Sequence, residues 1–184
     1  YVIFILLSLS VNAERERNSA SSNLHVSVSA SPPPNIVVIL VDDAGYDDFG
    51  FQNSNTISTT PHLDVLANEG TIFTQAYVTN GLCAPSRAGM LSGRYNADVG
   101  FQYNIASGIN ANSAAPDHTL ADIGLDPSVP TMGNYLKDLG YATALFGKWH
   151  LGYGGQTQHH PNNRGFDFFY GLLGGSRPYD TPTT

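Results

Sequence analysis

The run Asn35-Ile-Val-Val-Ile-Leu-Val41 constrains this chain more than any other stretch. Every position after Asn35 is apolar and most are β-branched, the pattern of a strand buried on both faces of a parallel sheet. Such a strand needs helices on either side, which points to an α/β fold. The run ends in Asp42-Asp43-Ala44-Gly45-Tyr46-Asp47-Asp48. In open α/β sheets, ligands gather beyond the carboxyl ends of strands. Adjacent carboxylates there are costly unless a positive charge lies between or beside them. A hard divalent cation with oxygen ligands, Ca2+ or Mg2+, meets that need. The plainer alternative is an acidic turn facing water.

The stretch Leu82-Cys83-Ala84-Pro85-Ser86-Arg87-Ala88-Gly89-Met90-Leu91-Ser92-Gly93-Arg94 holds the one cysteine among 184 residues. Pro85 suits a first helical turn, Ala88, Met90 and Leu91 continue the helix, and Gly93 can end it. Cys83 then sits at or just before a helix N-terminus, where free N–H groups and the macrodipole favour an anion. Arg87, four residues on, leans back toward Cys83. A reactive side chain, a guanidinium and helix N–H groups would converge on one point, as an oxyanion site requires. Two other readings stand beside this one: a buried cysteine acting as a small hydrophobe, and a thiol nucleophile paired with a histidine.

The segments between carry ordinary helix and strand signals. Thr60 can cap a helix whose first turn holds Pro61, whose apolar face is Leu63, Leu66 and Ala67, and which Gly70 stops. His62 reads as a surface residue. Thr71 to Tyr77 alternates as a strand would and leads into Cys83, on the same rim as Asp42 and Asp43. Asn96 to Ser128 has no period and reads as a long loop bordering a site. Met132, Tyr135, Leu136 and Leu139 form one helical stripe, stopped by Gly140. A buried strand, Tyr141 to Phe146, runs into Gly147-Lys148-Trp149-His150-Leu151-Gly152, where an extended backbone would turn Lys148 and His150 to the same side. A snorkelling lysine and a satisfied histidine are the bland alternatives. His159 and His160 read as a solvent-facing loop pair. Asn163 to Gly171 reads as an aromatic strand or turn closing the sheet.

Asp-Asp-x-Gly-Tyr, Cys-x-Pro-Ser-Arg, Gly-Lys-Trp-His-Leu-Gly and Gly-Phe-Asp occur here in one order, from Asn35 to about Pro178. Together they resemble the type I sulfatases. The resemblance implies an alkaline-phosphatase-like α/β fold, a mostly parallel sheet flanked by helices, truncated here on the C-terminal side. It implies that Asp42, Asp43 and the residue made from Cys83 bind Ca2+, with Mg2+ the alternative. It further implies that a maturation enzyme converts Cys83 to formylglycine, an aldehyde whose hydrate is the nucleophile. Cys83, Arg87, Lys148 and His150 would be catalytic, with Lys148 and Ser176 touching the substrate, a sulfated small molecule or glycan. One hydroxyl of the hydrate would attack sulfur while the cation, Arg87 and Lys148 offset negative charge. His150 would take the proton from the other hydroxyl, so that sulfate leaves and the aldehyde returns. A phosphonate or phosphodiester hydrolase of the same superfamily is the runner-up, and an inactive product the third reading.

The family's second ligand pair, Asp-Asn, has no counterpart here, and two carboxylates fall short of the about 6–8 oxygens Ca2+ takes. The chain therefore reads as the N-terminal part of a longer enzyme, inactive as a separate polypeptide. Residues 1–13 resemble a partial secretory signal, an apolar run too short to span a bilayer followed by Val11-Asn12-Ala13. Residues 14–34 form a Ser- and Pro-rich leader, and 35–184 the N-terminal portion of the catalytic domain. Export follows as the expectation, to an extracellular, periplasmic or lysosomal space. A net charge of −7 without a basic cluster speaks against nucleic acid as a partner.

Overall fold

The computed structural model describes residues 5–9, 33–52, 60–105, 124–152 and 157–175. They fall into two compact units, Tyr1–Ala76 and Tyr77–Thr184. Among the described residues no helix is long and apolar enough to cross a membrane.

In the first unit, β1 (Ile5–Leu9) pairs antiparallel with β2 (Asn35–Ile39), Leu7 opposite Val37. The apolar run read as part of a signal thus contributes a strand. β2 forms where expected but stops two residues before Val41. Its partner is antiparallel, and it is covered on one side only: Ile36 and Val38 are half-buried, whereas Val37 and Ile39 are exposed. Continuous apolarity lets a strand accept cover on both faces, but the packing layer decides whether it gets it.

Helix α1 (Pro61–Glu69) starts at Thr60 and ends at Gly70, as its sequence signals indicate. The capping chemistry differs from the expectation. The Thr60 hydroxyl donates to Asp64 Oδ1 at 2.9 Å and accepts from Gly50 N–H at 2.9 Å. Phe51 N–H also donates to Asp64 Oδ1 at 2.9 Å. A carboxylate in the first turn suits the helix dipole, so one side chain serves both the helix and the turn before it. Thr71 to Tyr77 forms no strand, and Ile72 and Phe73 lie exposed. Alternation prepares a segment for pairing, but a strand exists only where a neighbour takes its N–H and C=O groups.

In the second unit, α2 (Cys83–Ser92) closes on Gly93, whose φ of 66° is the left-handed cap that glycine adopts without steric cost. Ala84, Ala88 and Leu91 enter a core with Phe101, Ile105, Leu125, Trp149, Leu151 and Phe166. The described residues of the aperiodic stretch from Asn96 to Ser128 form no helix or strand, yet they contribute three of those core residues, Phe101, Ile105 and Leu125. Helix α3 (Met132–Asp138) follows, with Tyr135 and Leu139 of its apolar stripe exposed. Its fully buried residue is Gly133, where an added Cβ would lie 3.0 Å from the Gly165 backbone.

β3 (Ala144–Lys148) and β4 (Phe168–Leu172) pair in parallel, Leu145 opposite Phe169. The aromatic segment therefore does join the sheet. β3 lies further along the chain than the expected Tyr141 to Phe146, and it is not buried on both faces. Phe146, Phe168 and Tyr170 are exposed. The shift has a cause in Thr143. Its N–H donates to Asp167 Oδ2 at 3.0 Å and its hydroxyl to Gly165 O at 2.7 Å, which fixes the chain just before the ladder begins.

Asp167 also accepts from Lys137 Nζ at 2.6 Å. That hydrogen bond first, and the Thr143 N–H second, hold its carboxyl below the usual value. A carboxylate depressed in the folded state stabilises above its unfolded pKa, about 3.9, and this contribution drains as pH falls through the lower folded value. Asp167→Asn is expected to be less stable than the parent at pH 7, and the difference to be smaller at about pH 3, below the unfolded pKa of about 3.9. Urea titrations at the two pH values check this, and a constant difference would refute it.

Candidate active site

Cys83 occupies the first position of α2, after Leu82 as the N-cap. Asn80 Oδ1 accepts from Leu82 N–H at 2.8 Å and so turns the chain into the helix. Leu82 has no side-chain acceptor for the first-turn N–H groups, and a distant residue supplies one. Asn104 Oδ1 accepts from Ala84 N–H at 3.0 Å and lies 3.7 Å from Cys83 Sγ. Pro85 has no N–H, and Ser86 N–H donates to Leu82 O at 3.0 Å. The expectation that first-turn N–H groups stand open to an anion is therefore corrected at these three positions. The macrodipole remains, but Ala84, Pro85 and Ser86 have no open N–H to offer an oxyanion.

Arg87, one turn into α2, is buried at 8% exposure. Its Nη1 donates to Lys148 O at 2.7 Å, tying the cysteine helix to the end of β3. A guanidinium presents five N–H groups in one plane, so a carbonyl on one of them sets the orientation of the rest. Lys148, half-buried, is the last residue of β3.

His150 lies beyond the strand. Its φ of 59° is left-handed, so the alternation that was to turn Lys148 and His150 to one side does not extend to it. The backbone still pairs, with Trp149 N–H donating to Leu172 O and His150 N–H to Leu173 O, at 2.9 and 3.0 Å. The imidazole is buried at 3% exposure, its Nε2 2.8 Å from Ile105 O. A carbonyl can only accept, so Nε2 carries a proton and donates it to Ile105 O. Gly175 lies flat against this ring, since a Cβ there would come within 2.6 Å of Cε1.

Cys83, Arg87, Lys148 and His150 thus belong to one network. Asn104 touches the start of α2 and the thiol, while its neighbour Ile105 holds the His150 ring. Neither was singled out from sequence, because the bonds to Ala84 and His150 cross 20 and 45 positions respectively. His159 was misread: it is buried at 2% exposure, its ring over Gly124 and Gly152 and its carbonyl accepting from Trp149 Nε1 at 2.9 Å. His160 is half-buried, with Nδ1 accepting from Asn162 N–H at 3.3 Å and the ring edge-on to Phe169. Ser176 lies outside the described residues.

Asp42 and Asp43 belong to the first unit, beyond the end of β2, and both are exposed. Asp43 has a left-handed φ of 55°. Their oxygens are the donor type a hard cation takes. Among the described residues, no cluster of three or more His, Cys, Asp or Glu converges as a metal site. Asp48 is engaged locally, its Oδ2 accepting from Gly45 N–H at 2.5 Å. The pair fits a divalent cation in kind and would supply part of its coordination.

Comparison with known proteins shows the family of the chain. The sulfatase family pattern matches residues 34–184. Mouse (Mus musculus) steryl-sulfatase is 44% identical over 144 residues, covering 76% of this chain and 22% of that protein. Mouse arylsulfatase G is 40% identical over 141 residues, covering 77% of this chain and 24% of the relative. The crystal structure of Ps i-CgsB superposes with a TM-score of 0.64 at 41% identity, over 75% of this chain and 28% of that one. The chain therefore spans about a quarter of the length of the relatives it matches. The alkaline-phosphatase-like α/β fold expected from sequence holds, and the chain belongs to the sulfatase family.

Proposed function

We propose that the protein hydrolyses sulfate monoesters of aryl or carbohydrate alcohols. The observation that carries this reading is the network joining Cys83 at the head of α2, Arg87 on the Lys148 carbonyl, and His150 on the carbonyl next to Asn104. Arg87 and Lys148 bind the sulfate: the guanidinium as a planar fork on two oxygens, the ammonium as a compact charge. Their burial strengthens both attractions and excludes competing water. His150 moves a proton through Nδ1, since Nε2–H is committed to Ile105. Ser176 adds a substrate contact. Asp42 and Asp43 would supply oxygen ligands to Ca2+ or Mg2+. The cation would supply electrostatic stabilisation of the sulfate oxygens, and formylglycine at residue 83 the nucleophilic hydroxyl.

Conversion by a formylglycine-generating enzyme and export through an N-terminal signal belong to the same proposal. Mouse steryl-sulfatase and arylsulfatase G point by name to steroid and aryl esters. Co-expression of the whole protein with the maturation enzyme tests the reading. The peptide holding residue 83 is expected to show the mass of an aldehyde, and 4-nitrophenyl sulfate to turn over faster than 4-nitrophenyl phosphate. An intact thiol, or a preference for the phosphate, would overturn it.

A further inference from the structure

We propose that Asn104 is a positioning residue for the nucleophile, its side-chain carbonyl accepting a hydrogen bond from residue 83. The inference rests on the formylglycine reading above and adds a residue to it. Two contacts define the geometry: Ala84 N–H to Asn104 Oδ1 at 3.0 Å, and Cys83 Sγ to the same oxygen at 3.7 Å. Ala84 N–H can only donate, so the atom facing it must be the amide oxygen, and the Asn104 orientation is fixed. That oxygen has two lone-pair directions. One takes the helix N–H, and the other faces the side chain of residue 83.

A thiol is a weak donor, so the contact does little while residue 83 is cysteine. A hydroxyl is a strong one. When water adds to the aldehyde, its oxygen bonds to carbon and one proton passes to the former carbonyl oxygen, giving two hydroxyls. Asn104 accepts from one of them, which favours the hydrated state and limits rotation of the other. The acceptor is also neutral. An aspartate would cap α2 equally well but would set a negative charge beside the sulfate site. The next residue, Ile105, orients the His150 ring through its carbonyl, so one dipeptide aligns the nucleophile and the proton acceptor.

The test uses the whole protein, co-expressed with the maturation enzyme, as wild type, Asn104→Ala and Asn104→Asp. Converted fraction is measured first by mass spectrometry, and all rates are divided by it. Asn104→Ala is expected to lower kcat for 4-nitrophenyl sulfate about 10–100-fold with KM within about threefold, as for a contact made in the transition state. Asn104→Asp is expected to keep kcat within about fivefold of wild type and to raise KM at least about tenfold. A readout independent of turnover is labelling by an aminooxy probe, which reacts with the aldehyde and not the hydrate. It is expected to be several-fold faster in Asn104→Ala and unchanged in Asn104→Asp.

If Asn104 serves only as a remote helix cap, Asn104→Asp keeps the wild-type KM, and the proposal is overturned. Wild-type kinetics and labelling in Asn104→Ala overturn it equally. Unconverted cysteine in the wild-type protein overturns the formylglycine reading and this proposal with it. Full conversion with unaffected variants overturns this proposal alone.

Discussion

Cys83→Ala is expected to lower turnover of sulfate esters by the whole protein at least about 10⁴-fold, the scale on which loss of a nucleophile registers. Stability should barely change. Cys83 is half-buried and its side chain lies outside the apolar cluster, and alanine is the best helix former at an early helical position. A melting temperature within about 2 °C of the parent is the expected companion result. The same substitution separates the two other readings of this cysteine. As a small core hydrophobe, replacement by alanine would leave activity intact. As a thiol nucleophile, it would be lost to iodoacetamide in the wild-type protein, whereas a formylglycine residue has no sulfur to alkylate.

The largest structural effect is expected at Arg164, which takes no part in the chemistry. It is buried at 2% exposure, and burial lowers its pKa while the nearby Asp126 charge acts in the opposite direction. Its guanidinium spans three carbonyls. Nη1 donates to Leu125 O and Asp126 O, both at 3.1 Å, and Nη2 to Asp126 O at 3.1 Å and Val129 O at 2.7 Å. Its own carbonyl accepts from the Thr131 hydroxyl at 2.6 Å. These bonds hold Leu125 in the core beside Trp149 and Leu151, the residues that flank His150. Arg164→Ala strands several carbonyls away from water at about 1–3 kcal/mol each, so a net loss of about 3 kcal/mol is expected. In melting temperature this is roughly 10 °C. Arg164→Lys should recover less than half, because one ammonium cannot fork across three acceptors. Urea and thermal unfolding of both variants decide it, and a cost below about 1 kcal/mol for alanine would refute the clamp.

Local signals were the legible ones. Pro85 and Gly93 marked α2 because a missing N–H and a left-handed cap are local demands. Cys83, Arg87, Lys148 and His150 stood out as candidates because each lies in a short motif. Three kinds of feature escaped. Thr71 to Tyr77 has strand-like alternation, but no alternation says whether a partner arrives. Ile36 to Ile39 of β2 and Ala144 to Phe146 of β3 are apolar, but apolarity does not say which faces are covered. Asn104 and Arg164 act across 20 to 39 residues, and nothing near them in the chain announces an acceptor for Ala84 or a fork for the Leu125 carbonyl. His159 was misjudged because its burial depends on Gly124 and Gly152, two absent side chains that only the folded chain brings over one ring.

The backbone at position 150 has a consequence for how this protein can vary. A left-handed residue there demands a side chain that tolerates the conformation, and the imidazole must also reach a carbonyl 45 positions away. Asparagine or glycine satisfies the first demand without the second, whereas a β-branched residue satisfies neither. A single codon change at this position would therefore remove the imidazole proposed to move the proton while leaving the backbone conformation in place.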